Sequence, residues 1–115
     1  MKKNNTSKAF GERSETRATA FLESRGFLIV ERNYYAQKLG EIDIIAQKNG
    51  VLHFVEVKSA KADFDPIYNL TPSKLKKLIL STHHYLKVRR LDIDFSIDAL
   101  IIRGDEIEML ENITM

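Results

Sequence analysis

The sequence predicts an α/β domain built on a mixed five-stranded sheet flanked by helices, with the element order αβββαββ. Three observations predict it. Small and apolar residues recur at helical spacing near the N-terminus and again after Pro72. Between these stretches lie three short runs rich in β-branched and aromatic residues, two of them joined by Asn49-Gly50. The second helix separates the third strand from the fourth, which a right-handed parallel crossover requires. At 115 residues the chain has the size of one domain. Residues 1–7 read as a disordered polar tail and 8–115 as the domain.

From about Ser7 to Arg25, Gly11, Glu15, Ala18, Thr19 and Leu22 fall at offsets of three and four, so they share a helix face, and Gly26 ends the helix. Phe27–Tyr35 reads as a strand with Leu28, Val30 and Arg32 on one side and Phe27, Ile29 and Glu31 on the other. Gln37–Gly40 is a turn. Glu41–Gln47 and Val51–Ser59 form a hairpin, because Asn and Gly both tolerate the positive φ of a type I′ turn. Residues 60–70 lack a period and include Pro66, so they form a surface loop of the kind that often serves a site. Thr71-Pro72 is an N-cap followed by proline in the first turn of a helix running to about Arg89, with Leu75, Leu78, Ile79, His83 and Leu86 on its inner face and His84 outside. Asp94–Arg103 is a strand, and Gly104-Asp105 turns it into a short last one, Glu106–Leu110.

Composition narrows the function classes. With 43% hydrophobic and 30% charged residues the chain suits an ordinary globular protein. It has neither an apolar run long enough to span a bilayer nor a hydrophobic leader after Met1, so a cytoplasmic location without membrane association is expected. The absence of cysteine excludes disulfides, thiolate metal sites and cysteine nucleophiles, so any metal is held by oxygen or imidazole. The net charge is +2, but residues 91–115 carry seven acids against Arg103, a net −6 that leaves +8 for the first 90. Such a basic body suits a polyanionic partner and equally suits a solvated surface of mixed sign.

The hairpin carries a chemical oddity: Asp43, Glu56 and Lys58 interrupt its apolar pattern. Alternation puts Glu56 and Lys58 on one face with Leu52 and Phe54, and Val51, His53, Val55 and Val57 on the other. A two-residue Asn49-Gly50 loop pairs Lys48 with Val51 and brings Asp43 opposite Glu56. Two facing carboxylates need a cation. Lys58 satisfies them in one reading; in the other they hold a hard divalent ion, with water and phosphate completing its shell. Glu15 lies on the inner helix face, either paired with a base or as a third acid of the same cluster.

Asp43 followed by Glu56-Val57-Lys58 resembles the Asp…Glu-x-Lys signature of the PD-(D/E)xK nucleases, which include restriction endonucleases and archaeal Holliday junction resolvases. More closely, Gly11, Glu15 and Ala18, then Arg32-Asn33, Gly40–Asp43 and Phe54–Lys58 resemble the ordered motifs of the YraN family of bacterial endonuclease-like proteins. The resemblance is dense from Phe10 to Ser59 and sparser through Thr71–Lys74. It implies a restriction-endonuclease-like core, a site in which Asp43, Glu56, the Val57 carbonyl and Glu15 bind Mg²⁺ or Mn²⁺, and a Lys58 that assists the hydrolytic water. Ala60 departs from the family, whose members commonly carry arginine there, and Ser96 stands where a bulkier or basic residue is usual.

Lys74, Lys77, Lys61 and Arg32 are candidates to contact DNA phosphates, Lys74 first among them because it opens the helix after the suspected site loop. Tyr34, Tyr35 and Tyr68 suit base stacking or the core. Two functions remain open at this point. One is a metal-dependent DNA endonuclease acting on branched or otherwise non-canonical DNA; the other is a non-catalytic nucleic-acid-binding or adaptor protein that keeps the fold. Either implies DNA rather than a small-molecule substrate, and a homodimer is compatible with both.

Overall fold

Asn49 and Gly50 adopt φ values of 52° and 78°, the left-handed pair that a type I′ turn demands. Lys48 consequently faces Val51. The computed structural model describes residues 6–60 and 64–114. Within them run α1 (Thr6–Ser24), β1 (Leu28–Tyr35), a 3₁₀ turn (Gln37–Leu39), β2 (Glu41–Lys48), β3 (Val51–Ser59), a second 3₁₀ turn (Pro66–Asn69), α2 (Pro72–Val88), β4 (Phe95–Arg103) and β5 (Glu106–Leu110). The expected order αβββαββ is the observed one. Thr6 and Ser7 belong to α1, while the rest of the expected tail lies outside the described residues.

The strands stand in sequence order across one mixed sheet. β3 and β4 pair in parallel from Leu52↔Phe95 to Ser59↔Ile102, and the other neighbours pair antiparallel. This is an α/β nuclease-like core with a helix packed on each face. On the α1 face, Ala18, Leu22 and Phe27 pack on Ile44, Ala46, Val55, Leu100 and Ile102. On the other, Leu78 and Tyr85 pack on Ile42, Ile45, Leu52, Phe54 and Ile97. β4 is buried on both faces, which explains its nearly unbroken apolar run. No helix among the described residues is long and apolar enough to cross a membrane.

Three expectations are corrected. In β1 the register shifts between Ile29 and Glu31, a bulge that breaks the simple alternation. Leu28 and Val30 are left exposed, while Arg32 reaches back to Glu15. In α2 the inner stripe is Leu78, Ser81, Thr82 and Tyr85, rotated from the expected one. His83 is thus exposed, and His84, half-buried, bonds the Tyr34 hydroxyl at 3.0 Å. Small residues lead the stripe because the helix comes close to the sheet: a Cβ on Gly40 would lie 3.3 Å from Ser81 Oγ. The third correction is at the end of the hairpin ladder, where the site begins.

Candidate functional site

The β2–β3 ladder follows the predicted register from Lys48↔Val51 to Ile44↔Val55 and stops there, one residue short of the expected pair of Asp43 and Glu56. Ile42 packs on the α2 side and Ile44 on the α1 side, so the pleat of β2 breaks at Asp43. The strands fork. The Val57 amide, beyond the last β2 partner, donates to Asp43 Oδ2 at 2.8 Å. A side-chain carboxylate thus stands in for a ladder carbonyl and satisfies a backbone donor that burial would otherwise penalise.

Other acids gather at the fork. Glu15 comes from α1, with Arg32 Nη2 3.6 Å from its Oε1. Asn33, at a φ of 54°, places its side-chain amide against two carboxylates; with the amide nitrogen assigned to the side that faces them, it donates to Glu15 at 2.9 and 3.2 Å and to Glu41 at 3.2 Å. Asn33 therefore couples the helix acid to the start of β2. Ser14 and Ser59 add a hydroxyl bridge of 2.7 Å between α1 and the end of β3. Burial, Glu56, Glu15 and Glu41 together outweigh the Val57 bond and push the Asp43 carboxyl up from 3.8 to about 8. Glu41 is raised as well, by burial and then by Glu15 and Glu56. Burial, and after it the neighbouring acids, disfavours the charged form of both carboxyls.

Lys58 Nζ lies 3.1 Å from Glu56 Oε2, both side chains less than one-fifth exposed. Lys74, in the first turn of α2 where Thr71 Oγ1 accepts its amide, is held below the ordinary lysine range by the neighbouring Lys58 ammonium and then by burial. Asp43, Glu56 and Lys58 border two clefts. One, of about 280 Å³, runs toward Glu15, Ser14 and Asn69; the other, of about 250 Å³, runs toward Glu41, Lys74 and Lys77. Of the predicted cations, Lys74 and Lys77 thus reach the site, Arg32 is committed to Glu15, and Lys61 lies outside the described residues. Val57 lines the first cleft.

The donor set is all oxygen, which suits Mg²⁺ or Mn²⁺. Among the described residues no three acidic or imidazole side chains converge to cage an ion by themselves. The residues fit an ion bound by one or two carboxylates whose remaining positions belong to water and phosphate.

Glu41 and Asn33 belong to the site and escaped sequence reasoning. Both stand inside motifs that carry the YraN resemblance, Arg32-Asn33 and Gly40–Asp43, and that was the signal, although the reading gave neither residue a role. A second buried polar group also escaped it. Asp98, fully buried on β4, binds His53 Nδ1 at 2.6 Å, the Ser96 hydroxyl at 2.5 Å and the Asn112 amide at 3.1 Å.

The model of the uncharacterised protein family UPF0102 matches residues 14–102, which include every element from β1 to α2. A UPF0102 protein of Sulfurovum sp. (strain NBC37-1) is 65% identical over 108 residues, covering 94% of this chain and 96% of its own. Relatives in Wolinella succinogenes and in Helicobacter pylori (strain HPAG1) are each 54% identical, over 95% and 96% of this chain and 99% and 96% of theirs. The chain belongs to the uncharacterised protein family UPF0102, the group of the YraN proteins whose motifs it shares.

Proposed function

We propose that this protein is a metal-dependent DNA endonuclease that hydrolyses phosphodiester bonds, with branched DNA as its substrate. The observation that carries the reading is the convergence of Asp43, Glu56 and the Val57 backbone at one cleft with Glu15, and with Glu41 beside them, where burial and then these acids push the Asp43 carboxyl up to about 8. A fold gains nothing from that crowding, whereas a divalent cation relieves it. Asp43, Glu56 and the Val57 carbonyl would hold Mg²⁺ or Mn²⁺, with Glu15 and Glu41 in the surrounding shell. When bound, the ion supplies Lewis acidity toward a phosphate oxygen and toward water.

The chain's own residues do the rest. Lys58, aimed by Glu56, holds the attacking water beside the scissile phosphate and offsets charge that builds there. Lys74 and Lys77 border the cleft and bind flanking phosphates of the strand. Asn33 fixes Glu15 and Glu41, so these acids need no rearrangement as substrate enters.

The test is purified protein incubated with duplex, single-stranded, flap and four-way-junction DNA, with and without Mg²⁺ or Mn²⁺. Metal-dependent cleavage that Asp43→Ala and Glu56→Ala abolish, each folded by circular dichroism, is the expected result. Equal cleavage by wild type and variants would identify a contaminant and sink the proposal. One observation favours a second reading, a non-catalytic DNA-binding or adaptor protein: Glu56 already has its counter-ion in Lys58 at 3.1 Å. That reading predicts DNA binding with no response of Asp43, Glu56 or Lys58 resonances to millimolar Mg²⁺.

A further inference from the structure

We infer that the chain carries a second ligand site, separate from the acidic fork, that takes a nucleotide: a planar base joined to a phosphate monoester. It is a cavity of about 370 Å³ on the α1 face, at the hairpin-turn end of the sheet, lined by Phe21, Arg25, Phe27, Lys48, His53 and Glu111 among others. His53 and Glu56 are three residues apart on β3, about 10 Å along the strand, and their side chains leave the sheet on opposite faces. The inference does not rest on the nuclease reading.

Each wall supplies one part of the recognition. The Arg25 guanidinium carbon sits over the Phe21 ring, 4.4 Å from the centroid, so the pair offers a platform for a base. Lys48 Nζ sits 5.0 Å from the Phe27 centroid and donates to the Arg25 carbonyl at 2.7 Å. The ammonium is thereby held beside the platform with two donors to spare. His53 is 8% exposed; its Nδ1 is bound to Asp98 and its ring meets the edge of Phe27 at 5.0 Å. The carboxylate accepts the Nδ1 proton and leaves Nε2 as an acceptor, which takes a hydrogen bond from the P–OH of a singly protonated phosphate monoester. With Glu111 included, the lining carries a net positive charge, complementary to phosphate. A buried Asp-His pair is costly to desolvate, and nothing at the acidic fork uses this one.

The test is a titration of the isotope-labelled full chain with 2′-deoxyadenosine 5′-monophosphate in chelator, followed by NMR. Parallel arms use adenosine, ribose 5-phosphate and a short 5′-phosphorylated oligonucleotide. Saturable shifts at Phe27, Lys48 and His53 are expected, about tenfold weaker in Lys48→Ala and in Arg25→Ala. Both variants change solvent-facing cations and leave the Asp98 network to report an intact fold. Adenosine and ribose 5-phosphate should each bind more weakly than the whole nucleotide. If the oligonucleotide shifts the same residues, the source is a strand end; if the free nucleotide alone does, it is a mononucleotide. No saturable shift by about 10 mM, unchanged affinity in both variants, or ribose 5-phosphate binding as tightly as the nucleotide would overturn the inference.

Discussion

Raising the pH of the metal-free protein from about 5 to about 8 is expected to weaken its fold, and Asp43 sets the size of the effect. In the folded chain its carboxyl keeps a proton until the pH approaches about 8, whereas an ordinary aspartate releases it near 3.8. Between those limits the folded state binds the extra proton, so stability is highest at the acid end and falls as pH rises. Glu41, also raised, acts in the same direction. One proton corresponds to about 1.4 kcal/mol per pH unit, so three units set a ceiling of about 4 kcal/mol. Because Glu15, Glu41 and Glu56 share the crowding, that loss belongs to the cluster rather than to one residue. Against a domain stability of about 5–15 kcal/mol, it is easily measured. The assay is urea unfolding in chelator at intervals across this range, with Asp43→Asn alongside. The amide keeps an acceptor for the Val57 N–H and removes the charge. The variant should gain on the wild type steadily as pH rises, and millimolar Mg²⁺ should stabilise the wild type at pH 8 but not the variant. A gap between the two proteins that stays constant or narrows with rising pH would refute the reasoning.

Other perturbations test other parts of the molecule. Gly40→Ala forces a side chain onto a φ of 139° with Ser81 Oγ only 3.3 Å away; a loss of about 1–3 kcal/mol in urea unfolding is expected, and a change below the error of the fit would show that α2 gives way freely. Asp98→Ala strands His53 and Ser96 in the interior, and thermal and urea unfolding should show a loss of about 3–5 kcal/mol. For Lys74→Ala, DNA affinity measured in chelator should fall and the slope of log affinity against log salt should shrink by about 1; an unchanged slope would mean that Lys74 serves the site without touching phosphate.

Short-range chemistry was legible in the sequence where the backbone itself enforces it. Asn49-Gly50 fixed the hairpin register five pairs deep, and Thr71-Pro72 marked the start of α2 as the structure has it. Asp43, Glu56 and Lys58 of the hairpin share two clefts, one reached by Glu15 from the inner face of α1 and the other by Lys74 from the start of α2. What escaped is where tertiary packing overrides period. The β1 bulge adds a residue that no alternation rule anticipates. The inner stripe of α2 follows Ser81, a polar residue chosen for its size against Gly40, and a reading by hydrophobicity passes over it. His53 and Asp98 are separated by 45 residues and meet only because β3 and β4 pair in parallel, with His53 beside Ser96. Neither residue has a local pattern that announces the other.

The fork at Asp43 bears on how silence or activity would be inherited in such a chain. Because the side chain at 43 closes a gap in the main-chain ladder, a descendant that abandoned chemistry would still need an acceptor there, and an intact backbone at this point is no witness to turnover. Asparagine would meet that need without the electrostatic burden. The architecture asks only for an oxygen at this position; the negative charge on it is a separate demand, the one that the proposed cation would answer.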